Sequence, residues 1–431
     1  MKKIYTFLII ISAVAFTTLI FWTPKPPVQE KQIHSDPCFL LLSDVHLNTA
    51  SKITLYGQDA GTDLWNNLKA KLTSILEGKN PPKFIIYTGD VPAHYHCKND
   101  CYLAPGARME HNKNLTTFLT EMRTLVSAHH VPFFYVPGNN DALGGDYYSF
   151  ADSAHQTPLD LIPETTNPYP ALNTSNTGTQ PPYMIDNTHA KMGYYAVKPI
   201  PGLTVIALNS VIFGKKYFPI DGISQLDAGN EEMRWLGNKL SIASAKGDKV
   251  YLAMHIPPGK DAFNVATMSG NPFMWASLPN AQNSWLNQFL KLATIYNSTI
   301  CGIFYGHTHE DEVRRLYDST GTKIMSVAIS CPGVSTSHFN NPGFKLVYYN
   351  SSTFQPTDFE TFYTSPKATT WGNDSYSFSS VFHCKKNDNI FQCLSSQSLH
   401  DVNNEMDSIY MVMHGRSLYN TESGVEVKMG E

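Results

Sequence analysis

No class of residue is concentrated in this chain. Its 431 residues hold no block of like charge, no internal repeat and no low-complexity tract, and the net charge is only −4. That spread argues against a dedicated binder of nucleic-acid polymers, which needs a basic surface. Cysteine is scarce, with 7 residues, and no two stand at the Cys-x2-Cys spacing on which thiolate zinc sites are built. Cys97 and Cys101 are close in sequence, as are Cys384 and Cys393, so each pair can close a short loop in an oxidising compartment. Cys38, Cys301 and Cys331 have no assigned partner. The hydrophobic share of 42% is ordinary globular usage and supplies a core. The length exceeds the roughly 150 residues of a typical domain, which suits one large α/β domain with an appendage.

Met1-Lys2-Lys3 precede an uncharged stretch from Ile4 to Trp22, and a polar, proline-rich linker occupies 23–37. The lysines should stay in the cytoplasm while the apolar stretch enters the membrane. Its length nearly meets the roughly 20 residues that span a bilayer. Ala13-Val14-Ala15 offers a cleavage signal, but cutting there leaves Phe16 to Trp22 apolar and exposed, which favours an uncleaved anchor. Either fate exports the rest of the chain.

Apolar runs then alternate with amphipathic segments. Strands are expected at Phe39–Leu42, Phe84–Tyr87, Phe133–Val136, Leu203–Leu208, Val250–Met254, Ile300–Tyr305 and Ile324–Ile329. Leu64, Leu68, Leu72, Ile75 and Leu76 form a helical stripe over 63–77, and Leu115, Phe118, Leu119, Met122, Leu125 and Val126 form another. Amphipathic segments near 230–244 and 284–296 complete the pattern, which predicts a layered α/β fold. Residues 142–193 have no clear period and read as a long excursion shaping a substrate groove.

Five of the apolar runs end on metal-ligand chemistry: Ser43-Asp44-Val45-His46, Gly89-Asp90, Gly138-Asn139-Asn140-Asp141, His255, and Gly306-His307-Thr308-His309. Singly, each reads as a turn, a surface pair or a core histidine. Jointly, each behind a strand, they place carboxylates, an amide and imidazoles where separate strands converge. Two divalent ions held there would supply a nucleophile and neutralise an anionic phosphoryl centre. With no cysteine in the set, a borderline-to-hard divalent ion bound by nitrogen and oxygen fits: zinc, manganese or iron.

This ordered series resembles the calcineurin-like metallophosphoesterases. Gly89-Asp90-Val-Pro-Ala-His94, Tyr305-Gly-His-Thr-His309, Asn341-Pro-Gly343 and the stretch Asn209-Ser210…Trp235-Leu236…Ala253-Met-His255-Ile-Pro257 resemble its acid sphingomyelinase-like phosphodiesterases. The resemblance implies a layered β-sandwich flanked by helices. It puts Asp44, His46 and His309 on one ion and Asn139, His255 and His307 on the other, with Asp90 bridging. It also implies an exported zinc phosphodiesterase. Expected boundaries are a signal peptide or anchor (1–22), a linker (23–37), a catalytic domain (38–364) and a C-terminal subdomain (365–431). No lipid-extracting domain precedes the catalytic region, which favours a soluble phosphodiester or pyrophosphate, nucleotide-derived, over a phospholipid. A phosphomonoesterase and a degenerate, metal-stabilised binding protein are the remaining alternatives.

One departure matters. Asn140 stands where the family has a histidine that aids leaving-group departure. Its amide can hold a phosphoryl oxygen but cannot protonate a leaving group. His94 is the expected substitute acid. His338 either lines the groove or decorates a surface loop.

Overall fold

The computed structural model describes residues 35–94, 105–162, 183–260, 274–276, 284–385, 387–407 and 425–429. These belong to one compact unit running from His34 to Glu431. The expected N-terminal signal or anchor segment and the Cys97/Cys101 pair lie outside the described residues. Among the described residues, no helix is long and apolar enough to cross a membrane.

The strand Cys38–Leu42 is apolar at every position, as a strand covered on both faces must be. Phe39 and Leu41 enter one core while Leu40 and Leu42 enter another, following the two-residue period of a strand. Its sheet has six strands, in the order Ser375–Ser377, Pro356–Tyr363, Gly343–Tyr349, Cys38–Leu42, Ile85–Tyr87 and Phe133–Tyr135. A second sheet has eight: Glu426–Val427, Val313–Tyr317, Ile324–Ser330, Ile300–Tyr305, Lys249–Ala253, Leu203–Ala207, Tyr195–Ile200 and Met184–Asp186. The two pack face to face across a shared core, where the Phe39 ring meets Tyr251 at 5.4 Å and Phe304 at 5.0 Å. The helices Thr62–Leu76 and Pro105–Ala128 cover the outer face of the first sheet. Gln225–Lys246 and Trp285–Ile295 cover that of the second. This is the layered metallophosphoesterase architecture that the resemblance implies.

The strands from Cys38, Ile85 and Phe133 run parallel, as do those from Leu203, Lys249, Ile300 and Ile324. All five metal-ligand motifs are loops leaving the C-terminal ends of these strands. The C-terminal stretch is continuous with the same core. It adds a strand to each sheet, contributes Leu394, Val402 and Met406 to the shared core, and contains the Cys384–Cys393 disulfide. Cys38, Cys301 and Cys331 are buried free thiols. In the excursion at 142–193, the described residues form a short 3-10 turn at Pro158–Leu161, the edge strand Met184–Asp186 and a 3-10 turn at Ala190–Met192.

One buried carboxyl group carries a stability consequence. Glu232, on Gln225–Lys246, is fully buried and accepts the Asn209 backbone N–H at 2.7 Å, just past the strand ending at Ala207. Burial pushes its pKa well above the ordinary 4.5, only partly offset by that bond. Below pH 4.5 both the folded and unfolded chains carry the proton. Above it the unfolded chain ionises first, so this group erodes stability by up to about 1.4 kcal/mol per pH unit until the folded pKa is reached. We expect the melting temperature of Glu232→Gln to fall less between pH 5 and 8 than that of the wild type. Parallel profiles in calorimetry would refute the assignment.

Candidate metal centre

The strand ends deliver their motifs through unusual backbone. Asp44, His46, Asp90, His307 and His309 all have left-handed φ, between 42° and 72°. For non-glycine residues this costs about 1–2 kcal/mol each, and such strain persists only where surrounding contacts impose it. Those contacts are present. The Asp44 N–H bonds Gly89 O at 2.9 Å, the His46 N–H bonds Asp90 O at 3.1 Å, and the Ser335 N–H bonds Asp44 O at 2.9 Å. The His307 N–H donates to Asp44 Oδ2 at 3.0 Å. Gly138 and Gly306 permit the close approaches, because a Cβ would stand 2.1 Å from Asp90 Oδ1 at the first and 2.0 Å from Ser43 Oγ at the second.

Two of the groups of metal-capable side chains that result consist of expected ligands: Asp44, His46 and His309, and Asp90, His255 and His307, each with ligand atoms within 4.8 Å of one another. They meet at one atom. Asp90 Oδ2 lies 3.5 Å from His46 Nε2 and 3.2 Å from His255 Nε2. Asn139 joins the second group, with Oδ1 3.0 Å from His255 Nε2. The structure thus brings together all seven expected ligands.

The protons in this cluster indicate what belongs there. His46 Nδ1 faces Pro92 O at 3.1 Å and His255 Nδ1 faces Thr88 O at 2.6 Å, so both carry their proton on Nδ1. The lone pair of His46 Nε2 then points at His309 Nε2, 3.2 Å away. His255 Nε2 faces Asn139 Oδ1 and Asp90 Oδ2, both acceptors. Burial works to lower the His255 pKa, but Asp90 and Asp44 outweigh it and push the value up to about 9, placing a proton where a cation would satisfy the same groups. Burial pushes the Asp44 carboxyl up to about 7, with Asp90 adding to the shift. Burial also holds His46 at about 3, and His307 and His309 well below the usual imidazole range, so these three are neutral and ready to ligate. The residues fit divalent ions.

Supporting residues appear that sequence reasoning missed. Asp141 closes the Gly-Asn-Asn-Asp turn by accepting three backbone N–H groups: Gly138 (2.6 Å), Val91 (2.7 Å) and Asp90 (3.0 Å). Its place at the end of the motif was the only signal for it. Asp146 accepts from Asn139 Nδ2 at 2.8 Å, turning the amide oxygen toward His255. His111, from the helix Pro105–Ala128, bonds Asn140 O at 2.9 Å. Asn140 itself donates to Asp90 twice, through its backbone N and its Nδ2, both at 2.8 Å.

His94 stacks on His46 with centroids 3.8 Å apart and pairs with Asp59 at 2.7 Å. Burial works against its charged form, yet the Asp59 carboxylate prevails and raises its pKa above the ordinary value. His338 stacks on His309 at 4.1 Å. With His94, Asp59, Asn48, Ser51, Gly57, Gln58 and Ser337 it lines a cavity of about 480 Å³, so of its two expected places it takes the groove.

With this geometry established, comparison with known proteins adds the lineage. The model of the calcineurin-like phosphoesterase family matches residues 39–311, and the chain belongs to that family. Among its relatives are sphingomyelinase-like phosphodiesterases. A sphingomyelin phosphodiesterase of Bos taurus is 27% identical over 307 residues, covering 68% of this chain and 42% of that protein. A cyclic GMP-AMP phosphodiesterase of Rattus norvegicus is 27% identical over 292 residues, covering 65% of this chain and 56% of that protein. The chain thus spans about two fifths to three fifths of the length of such relatives. A dimetal phosphatase structure from Danio rerio overlays with a TM-score of 0.46 at 13% identity, covering 79% of this chain and 98% of that one, too loosely to carry an argument.

Partners that orient metal ligands typically contribute 10–100-fold in affinity. We expect Asp146→Ala to weaken binding of one of two ions per chain by about that factor, read by competitive chelator titration. An unchanged titration would remove Asp146 from the support of Asn139.

Proposed function

We propose that the chain hydrolyses a soluble phosphodiester or pyrophosphate, nucleotide-derived, using two divalent ions. Asp44, His46 and His309 hold one ion and Asn139, His255 and His307 the other, with Asp90 shared. The observation that carries this reading is the single oxygen, Asp90 Oδ2, within 3.5 Å of a histidine from each group. Zinc suits this nitrogen and oxygen donor set, and when bound the ions would supply charge neutralisation and an acidified water.

The chain's own residues supply the rest. One Asn140 N–H holds Asp90, and the second N–H of the same amide is a donor for a phosphoryl oxygen. His94, on the wall of the cavity, protonates the departing oxygen. The amide and hydroxyl groups of Asn48, Ser51, Gln58 and Ser337 suit a hydrated polar leaving group such as a nucleoside. The leader and the Cys384–Cys393 disulfide support export, by anchor or cleaved signal.

A second reading, a phospholipid phosphodiesterase, draws on one specific feature. Ile53, Leu55 and Phe339 are 63%, 45% and 52% exposed on two loops joined by the Thr336 Oγ1 bond to Leu55 O. Those loops flank the cavity, and exposed apolar side chains there could meet a bilayer.

The test is hydrolysis of bis-p-nitrophenyl phosphate from pH 5 to 8 with Zn²⁺ or Mn²⁺, beside a cyclic dinucleotide and sphingomyelin in mixed micelles. We expect turnover of the first two and little of the third. Asp90→Asn should cost more than about a hundredfold in kcat/KM, above what orienting partners of ligands typically cost. Faster turnover of micellar sphingomyelin would favour the lipid reading. Silence in a metal-loaded protein would point to a binding protein without turnover.

A further inference from the structure

The structure carries one device that neither the motifs nor the relatives assign. Asp59 lies on the loop before the helix Thr62–Leu76, 35 residues from His94 in sequence. Its Oδ2 accepts the His94 backbone N–H at 2.8 Å, and its Oδ1 pairs with His94 Nδ1 at 2.7 Å. One carboxylate therefore grips both the main chain and the ring of the same histidine. The ring's face is fixed as well, by stacking on His46 at 16° to its plane. Asp59 is held in turn. Its side chain is 13% exposed, Ser335 Oγ approaches Oδ1 at 3.4 Å, and the adjoining Gln58 O accepts the Thr336 N–H at 3.2 Å. With Nδ1–H committed to a carboxylate, Nε2 is the nitrogen left to serve a substrate in the cavity that both residues line.

A competing assignment exists. His46, Asp59 and His94 have ligand atoms within 4.8 Å of one another, close enough to suggest a third cation. The ring nitrogens of His46 decide against it. Nδ1 faces Pro92 O, while Nε2 lies 3.2 Å from His309 Nε2 and 3.5 Å from Asp90 Oδ2. Neither nitrogen remains for another ion, and Asp59 and His94 already satisfy each other.

We propose that Asp59 is a positioning residue for leaving-group departure. Its two-point grip on His94 fixes which ring nitrogen faces the scissile oxygen, and this compensates for Asn140 standing where no proton donor is available. The inference rests on the phosphodiesterase reading and on His94 as the acid. A histidine without its orienting carboxylate keeps its chemistry and loses its aim, as hydrolytic triads illustrate. The loss should therefore grow as the leaving group becomes poorer.

The experiment compares wild type, Asp59→Asn and Asp59→Glu on bis-p-nitrophenyl phosphate and on diphenyl phosphate, with metal content measured on each purified protein. We expect Asp59→Asn to lower kcat on diphenyl phosphate by about 10²-fold or more, the lower end of general-acid contributions. On the p-nitrophenyl ester, whose leaving group needs little help, the loss should be under about tenfold. Both variants should keep two ions per chain, and Asp59→Glu should recover part of the loss. Equal losses on the two esters would overturn the positioning role, leaving Asp59 merely structural. A missing ion in Asp59→Asn would overturn it in favour of a ligand. A wild type silent on both esters would overturn the phosphodiesterase reading itself, and the positioning role with it.

Discussion

Asp44, Asp90 and Asp141 are at most 2% exposed, and His46, His255 and His309 crowd the same seam between two sheets. Such a set is electrostatically expensive. Taking even one carboxylate out of water costs several kcal/mol unless a partner answers it. Hydrogen bonds answer Asp141, which takes three backbone N–H groups. They answer the centre only in part: Asn140 donates twice to Asp90 and the His307 N–H to Asp44, yet imidazole nitrogens and the Asp90 carboxylate still converge at 3.2–3.5 Å. Divalent cations resolve that convergence, and the left-handed turns, the close glycine and the outer partners all make sense as parts that hold acceptors in place for them.

The two sheets have to be held in register for this to work, and buried charges do part of the holding. Lys345, on a strand of the first sheet, reaches Asp311 at 2.5 Å, two residues beyond His309. Thr361 and Tyr376 complete the coordination of Asp311. Arg314 is wholly buried and gives one guanidinium nitrogen to Pro258 O and Lys260 O, both at 2.9 Å, while Glu312 balances its charge. It therefore ties the loop behind His255 to the strand behind His309. Buried ion pairs of this kind add little net stability, but breaking one leaves a charge stranded, so they fix geometry.

Much of the architecture was legible because the parallel strands are nearly pure apolar runs. Ile300–Tyr305 is found at the expected limits, and the helix expected at 63–77 is Thr62–Leu76. The strand Val313–Tyr317 was not legible. Its Arg314 and Arg315 look like surface residues until the partners that bury them are known. The same holds for the centre. Asp90, His307 and His309 announce themselves beside glycines at strand ends, whereas Asp59, Asp146 and His111 carry no local mark, because each acts on a residue that the fold alone brings near.

Sequence by itself determined the donor set, its order along the chain and its delivery from the ends of buried strands, since residue type and apolar periodicity are local properties. Only the tertiary structure decided that Asp90 Oδ2 lies between the two histidine groups, that Asn140 braces Asp90, and that Asp59 grips His94. Those are distances between segments tens to hundreds of residues apart, and they depend on how two sheets pack, which no short stretch of sequence encodes.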